Sequence, residues 1–137
     1  MKFKNKLFLN LLIPILGLLT SCQEPMEFGN SKLAEDIDFI SLEQFEQNPE
    51  NYHNDTIKIR GTLYVEYENV SIKLNNISIW IETFEPSIIG GLEEDKRKKL
   101  NGDNVELTGI YNAEQKGHLG LFNGHFTKVF YMKSKFR

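Results

Sequence analysis

From Thr56 the chain alternates apolar and polar residues with a period of two. Ile57, Ile59, Leu63 and Val65 fall on one side with Gly61 in line, and Lys58, Arg60, Thr62, Tyr64 and Glu66 fall on the other. That pattern predicts a long, half-buried strand, and a glycine at its centre predicts a bend or bulge. A second strand follows, with Val70, Ile72 and Leu74 inward and Ser71 and Lys73 outward. Asn75-Asn76 supplies a tight turn. A third strand places Ile77, Ile79 and Ile81 inward and Ser78, Trp80 and Glu82 outward. Residues Pro86 to Leu100 break the alternation. There, acids at Glu93 to Asp95 precede bases at Lys96 to Lys99, an order that suits a helix dipole and predicts a short helix with a solvated face. Val105, Leu107 and Tyr111 then alternate with Glu106, Thr108 and Ile110, with Gly109 in mid-strand. A last strand or pair of strands covers His118 to Met132, punctuated by Gly117, Gly120 and Gly124.

Upstream of the first strand, Ser41 and Gln44 form a capping box for a short helix whose apolar face is Leu42 and Phe45, and Pro49 ends it. Residues 23–38 include Pro25, Gly29, Asn30 and Ser31, show little periodicity and read as a linker. The N-terminus is different again. Lys2, Lys4 and Lys6 precede an apolar run from Leu7 to Leu19, interrupted only by Asn10, Pro14 and Gly17. Such a run makes roughly 20 Å of helix, short of the ~30 Å hydrocarbon core of a bilayer. A basic start followed by a short apolar run is the pattern of a secretory signal. Pro14 and the lack of a polar face argue against a buried core helix.

The run ends in Leu19-Thr20-Ser21-Cys22. This resembles the lipobox of bacterial lipoproteins: an aliphatic residue, two small residues, then the cysteine that receives the lipid. The resemblance implies a signal peptide over 1–21 and a lipidated residue 22; with the linker reading, the chain divides into a lipidated N-terminus and flexible tether over 22–38 and a folded domain over 39–137. It also implies a diacylglycerol and acyl chains on Cys22 as the sole covalent group, with no other cofactor, and a membrane anchor in the cell envelope. Two or three acyl chains suffice for stable attachment where one is marginal. Residue 23 is Gln, not Asp, which by the same resemblance implies the outer rather than the inner membrane.

Composition narrows this further. The 137 residues, 40% apolar and 26% charged, suit one globular domain. The single cysteine excludes an intrachain disulfide and a Cys-rich zinc module. The net charge is −3, and without the three early lysines it is −6, because 13 basic residues then face 19 acidic ones. That balance is wrong for a nucleic-acid partner.

The order of elements is a short helix, three strands, a helix, then two or more strands. It resembles the OB-fold, so the expected fold is mainly β, a small five-stranded barrel with a short N-terminal helix and a helix between its third and fourth strands. Ser41 to Tyr52 followed by Thr56 to Gly61 looks like the start of many bacterial OB-fold domains, and the likeness spans about residues 41 to 133. An unrelated small barrel or sandwich with one helix is the competing architecture.

Two constellations carry candidate chemistry. Tyr64 and Trp80 face outward on strands expected to be neighbours, where OB-folds stack bases or sugars. Glu66, Glu68, Glu82 and Glu85 lie nearby in sequence and oppose a polyanion. The second constellation is Gly117-His118 and Gly124-His125. Their spacing of seven is odd, so an unbroken strand would point the imidazoles to opposite faces, whereas a turn near Asn123-Gly124 would bring them together. With His53 they would make three imidazoles, enough for zinc, although no HxH, HExxH or CxxC spacing is present. Alternatively the glycines permit bending and close packing, and the histidines donate hydrogen bonds at a rim. There is no GxSxG elbow or SxxK motif, so no enzyme is expected. A carboxylate pair for glycoside hydrolysis is invisible to sequence. The expected function is an envelope lipoprotein whose barrel binds another envelope protein, a peptide or a small molecule. Tyr64, Trp80 and Phe122 would be its anchors and His118 a hydrogen-bonding rim residue. The alternatives are metal binding through His53, His118 and His125, or a small glycan-acting hydrolase.

Overall fold

A computed structural model describes residues 25–66, 69–82 and 91–135. Cys22 and the apolar run before it, together with Glu68, Glu85 and Pro86, lie outside the described residues. The elements in chain order are β1 (Glu27–Gly29), α1 (Lys32–Glu35), α2 (Leu42–Gln47), β2 (Thr56–Glu66), β3 (Asn69–Lys73), β4 (Ser78–Ile81), α3 (Glu94–Leu100), β5 (Asn104–Asn112) and β6 (Gly124–Lys135). Single 3-10 turns occupy Pro49–Tyr52 and His118–Gly120.

The alternation seen in the sequence is the inside and outside of one sheet. Ile57, Ile59, Leu63 and Val65 of β2, Val70 and Ile72 of β3, and Ile79 and Ile81 of β4 are all buried. β2 is shared between two partners: Thr56 to Thr62 pairs with β5, and Thr62 to Glu66 pairs with β3. Gly61 sits at that handover. A Cβ there would lie 2.6 Å from the Lys73 carbonyl oxygen and 2.8 Å from Ile72 Cγ1, so only glycine lets the two strands approach. The sheet continues from β3 to β4 antiparallel and from β4 to β6 parallel, and β6 returns antiparallel to β5, which closes it. β6 has register shifts opposite Thr108/Gly109 and Ile110/Tyr111, and such bulges bend a strand round a closed sheet.

The protein is mainly β, as the sequence predicts, but the strand count is six and not five among the described residues. The additional strand, β1, falls in the segment that reads as a linker. It takes up the edge of β6 beyond the residues paired with β4, with Phe28 opposite Met132. The Met26 N–H donates to Ser134 Oγ at 3.0 Å, and the Ser134 N–H donates to the Met26 carbonyl at 2.8 Å. α1 then buries Ala34, whose carbonyl accepts from Lys58 Nζ at 3.0 Å. From Met26 to Ala34 the segment is therefore docked on the sheet. Three residues are too few for a period of two to show.

The two ends of the sheet are closed by different helices. At one end Ser41 Oγ accepts from the Gln44 N–H at 3.4 Å and starts α2. α2 drops the fully buried Phe45 against Tyr111, with ring centroids 5.0 Å apart. Pro49 opens a 3-10 turn after α2 has ended. At the other end α3 buries Leu100, and the Asn101 side-chain oxygen accepts from the Val65 N–H at 2.9 Å. Lys96, Lys98 and Lys99 of α3 are exposed, and Lys98 pairs with Glu94 at 2.7 Å.

Candidate functional site

The register of β2, β3, β4 and β6 lines up one row of side chains on the outside of the sheet: Tyr64, Ser71, Trp80 and His125. Tyr64 and Trp80 are therefore not on neighbouring strands, as the sequence suggests. β3 lies between them and separates them by two strand spacings, about 10 Å. Trp80 does point outward, but it is only 8% exposed. The connection between β5 and β6 covers it.

That connection is built to lie flat on Trp80. Asn112 starts it, with its side-chain oxygen accepting from the Glu114 and Gln115 N–H groups, both at 2.9 Å. Gly117 then takes φ 63° and ψ −156°, a conformation open essentially only to glycine. A Cβ on Gly117 would overlap the Cβ of Trp80 and lie 2.9 Å from the Phe122 ring. The His118 ring stacks on Trp80 at 5.9 Å and 25°, and the Phe122 ring leans on it at 5.2 Å. The far limb is pinned to β4. The Asn123 N–H donates to the Ser78 carbonyl at 2.8 Å, and the Ser78 N–H donates to Asn123 Oδ1 at 3.0 Å.

Tyr111 supports this arrangement from inside. It is fully buried, and its hydroxyl donates to the Asn123 carbonyl at 3.2 Å. Burial first, and the Glu50 carboxylate second, push its phenol up to about 12, so it stays a donor. Gly124 lies against the Tyr111 ring so closely that a Cβ would overlap it.

Between the connection and β4 lies an open pocket of about 420 Å³, lined by Trp80, Glu82, Gln115, Lys116, Gly117, His118 and His125. The two histidines thus reach the same pocket, as a turn between them would require. They do so in different states. His118 is exposed on the rim. The His125 side chain is 10% exposed, and its Nδ1 lies 2.7 Å from Gln115 Oε1. Nε2 is buried and faces Glu82 Oε2 at 3.4 Å. Burial holds the imidazole below the ordinary histidine value, and the Glu82 carboxylate pulls the other way without cancelling that effect.

Of the four expected ligand contacts, Trp80 and His118 line the pocket, Phe122 braces Trp80 from behind, and Tyr64 stands apart. The three-histidine metal set does not assemble. His53 accepts the Ala113 N–H on its Nδ1 at 3.2 Å, and among the described residues no three His, Cys, Asp or Glu side chains converge as metal ligands. Gln115, Lys116 and Gly117 were not legible as pocket residues. The available signal was a glycine beside a histidine in a segment that had to pass over an outward tryptophan. At the tip of the same connection Leu119 and Leu121 are 78% and 75% exposed.

No protein-family model matches this chain, and no curated protein matches its sequence.

Proposed function

We propose that this chain is a lipid-anchored envelope protein whose domain is an OB-like barrel holding a small ligand in the pocket over Trp80. The barrel reading is supported by the closed circuit β2–β3–β4–β6–β5, with α3 between β4 and β5 and a parallel closing pair. β1 is an addition to that circuit. In OB-folds the face of the second and third strands, with the loop before the last strand, is the usual ligand surface. Here that face is β3 and β4, and the loop is the connection that carries His118.

One observation carries the ligand reading. The pocket joins an aromatic wall, His118 stacked on Trp80, to the Glu82 carboxylate and the His125 imidazole that faces it. Lys116, the cation of the lining, has its ammonium engaged by the Asn123 carbonyl at 3.0 Å. A carboxylate beside an aromatic wall suits a ligand that brings hydrogen-bond donors and no negative charge: an amine or a polyol, such as an amino sugar or a peptide amino group.

Trp80 is the sole tryptophan and reports on its own pocket. Titration of the protein with glucosamine, N-acetylglucosamine, a tripeptide with a free amino group, and glucuronate should change its emission saturably with an amine-bearing probe and not with glucuronate. Glu82→Gln should weaken that response about tenfold, as expected for losing one charged hydrogen bond. Silence with every amine and polyol probe would refute the ligand reading. The anchor is tested apart: Cys22→Ala should move the protein from the membrane to the soluble fraction, and retention after a carbonate wash would refute it.

A further inference from the structure

The N-terminal chain leaves the sheet at the end that α3 closes. β1 runs antiparallel to β6 with Glu27 opposite Lys133 and Gly29 opposite Tyr131, so Met26 is held beside Ser134. The end of β6 pairs with the start of β5, Lys135 opposite Asn104. β5 starts just after α3, and the turn between them is bonded to β2 through Gly102 N–H to the Leu63 carbonyl at 2.7 Å. The pocket connection begins at the opposite end of β5, where Asn112 faces His125. The nine residues of β5 put about 27 Å of strand between those two points.

Only three peptide steps separate Cys22 from Pro25, the first described residue. Fully extended, they reach roughly 11 Å. A lipid on Cys22 therefore leaves the domain little freedom, far less than a tether running to residue 38 would give.

From this we infer that the α3 end of the domain rests against the lipid headgroups, and that the pocket, with Leu119 and Leu121 at its outer tip, faces away from that membrane. The inference rests on the lipid-anchor reading. The α3 end suits a headgroup layer because Lys96, Lys98 and Lys99 expose three ammonium groups there. Glu93, Glu94 and Asp95 offset them, so charge attraction adds modestly and the short chain sets the orientation. The exposed leucines of the connection cannot reach the anchoring bilayer in this pose. They are left to a ligand or protein that arrives from the compartment and not from the membrane.

The test uses the full lipidated chain in phosphatidylethanolamine–phosphatidylglycerol vesicles that contain a headgroup-spin-labelled lipid as quencher. Cys22 is blocked by its lipid, so a fluorophore can be placed on Lys98→Cys or on Leu121→Cys, both exposed positions. The label at 98 should be quenched several-fold more than the label at 121. A further chain with twelve Gly/Ser residues inserted after Gln23 should stay on the vesicles and lose most of the quenching at 98. Equal quenching at the two positions, or quenching at 98 unchanged by the insertion, overturns the orientation while vesicle flotation keeps the anchor intact. A wild-type chain that does not float with the vesicles overturns the anchor reading and the orientation together.

Discussion

Two rows of side chains cross the outside of the same sheet and are finished in different ways. One row is Glu27, Lys133, Glu106 and Arg60, from β1, β6, β5 and β2. Its charges alternate, and it satisfies itself: Lys133 to Glu27 at 2.6 Å and Arg60 to Glu106 at 3.0 Å, with Glu106 half-buried and the other three open to water. The other is Tyr64, Ser71, Trp80 and His125. Its Trp80 is roofed by a loop bent through a positive-φ glycine, and its His125 buries a ring nitrogen against the Glu82 carboxylate. The first row needs nothing more than the sheet. The second spends backbone strain and a buried imidazole on making a pocket, and that is where function is to be sought.

The two rows share β6, so removing what supports it should break both. Tyr111→Ala takes a fully buried ring from beneath the Asn123 and Gly124 hinge. It should cost about 3–5 kcal/mol in urea unfolding. Gly117→Ala should damage the covered row alone. The added methyl collides with Trp80 in a backbone conformation that alanine resists, for a loss of about 1–3 kcal/mol. The lifted loop should shift Trp80 emission to the red. A variant that keeps both stability and emission would show that the loop is not seated on Trp80.

Acid should separate the rows. His125 is held below its ordinary value of 6.5, so the folded state resists protonation more than the unfolded state does. Its contribution is complete above pH 6.5 and declines as pH falls from there through the folded value. Glu27 is held below its ordinary 4.5, chiefly by its hydrogen bond to Lys133, so its contribution persists until pH falls below 4.5. The covered row should therefore loosen first. Stability measured from pH 7.5 to 5 should slope downward in the wild type and flatten in His125→Gln. The smallest effect belongs to the charged row itself. Glu27→Gln should leave the global unfolding midpoint nearly unchanged and speed hydrogen exchange only at the amides that join Met26 to Ser134, because exposed ion pairs contribute little. A large loss of global stability would contradict that reading.

These differences also mark what could be read from the chain. The inward sets Ile57 to Val65 and Ile77 to Ile81 were legible because burial against water is what a period of two records. The register follows from them once the strands close. The cover on Trp80 was not legible, because alternation gives the side of the sheet and says nothing of a loop lying over it. β1 was missed because its pairing comes from a partner about a hundred residues away, Glu27 with Lys133, and not from its own three residues. His125 and Glu82 meet only through the β4–β6 pairing, a contact that no local spacing announces.

The most direct test of the covered row as a binding site is a nuclear magnetic resonance titration of the protein with glucosamine. The Trp80 indole N–H and the ring signals of His118 and His125 should move together and saturate, while the amides of Glu106 and Lys133 stay still. Signals that move in the charged row, or a covered row that does not respond to any amine or polyol, would contradict it.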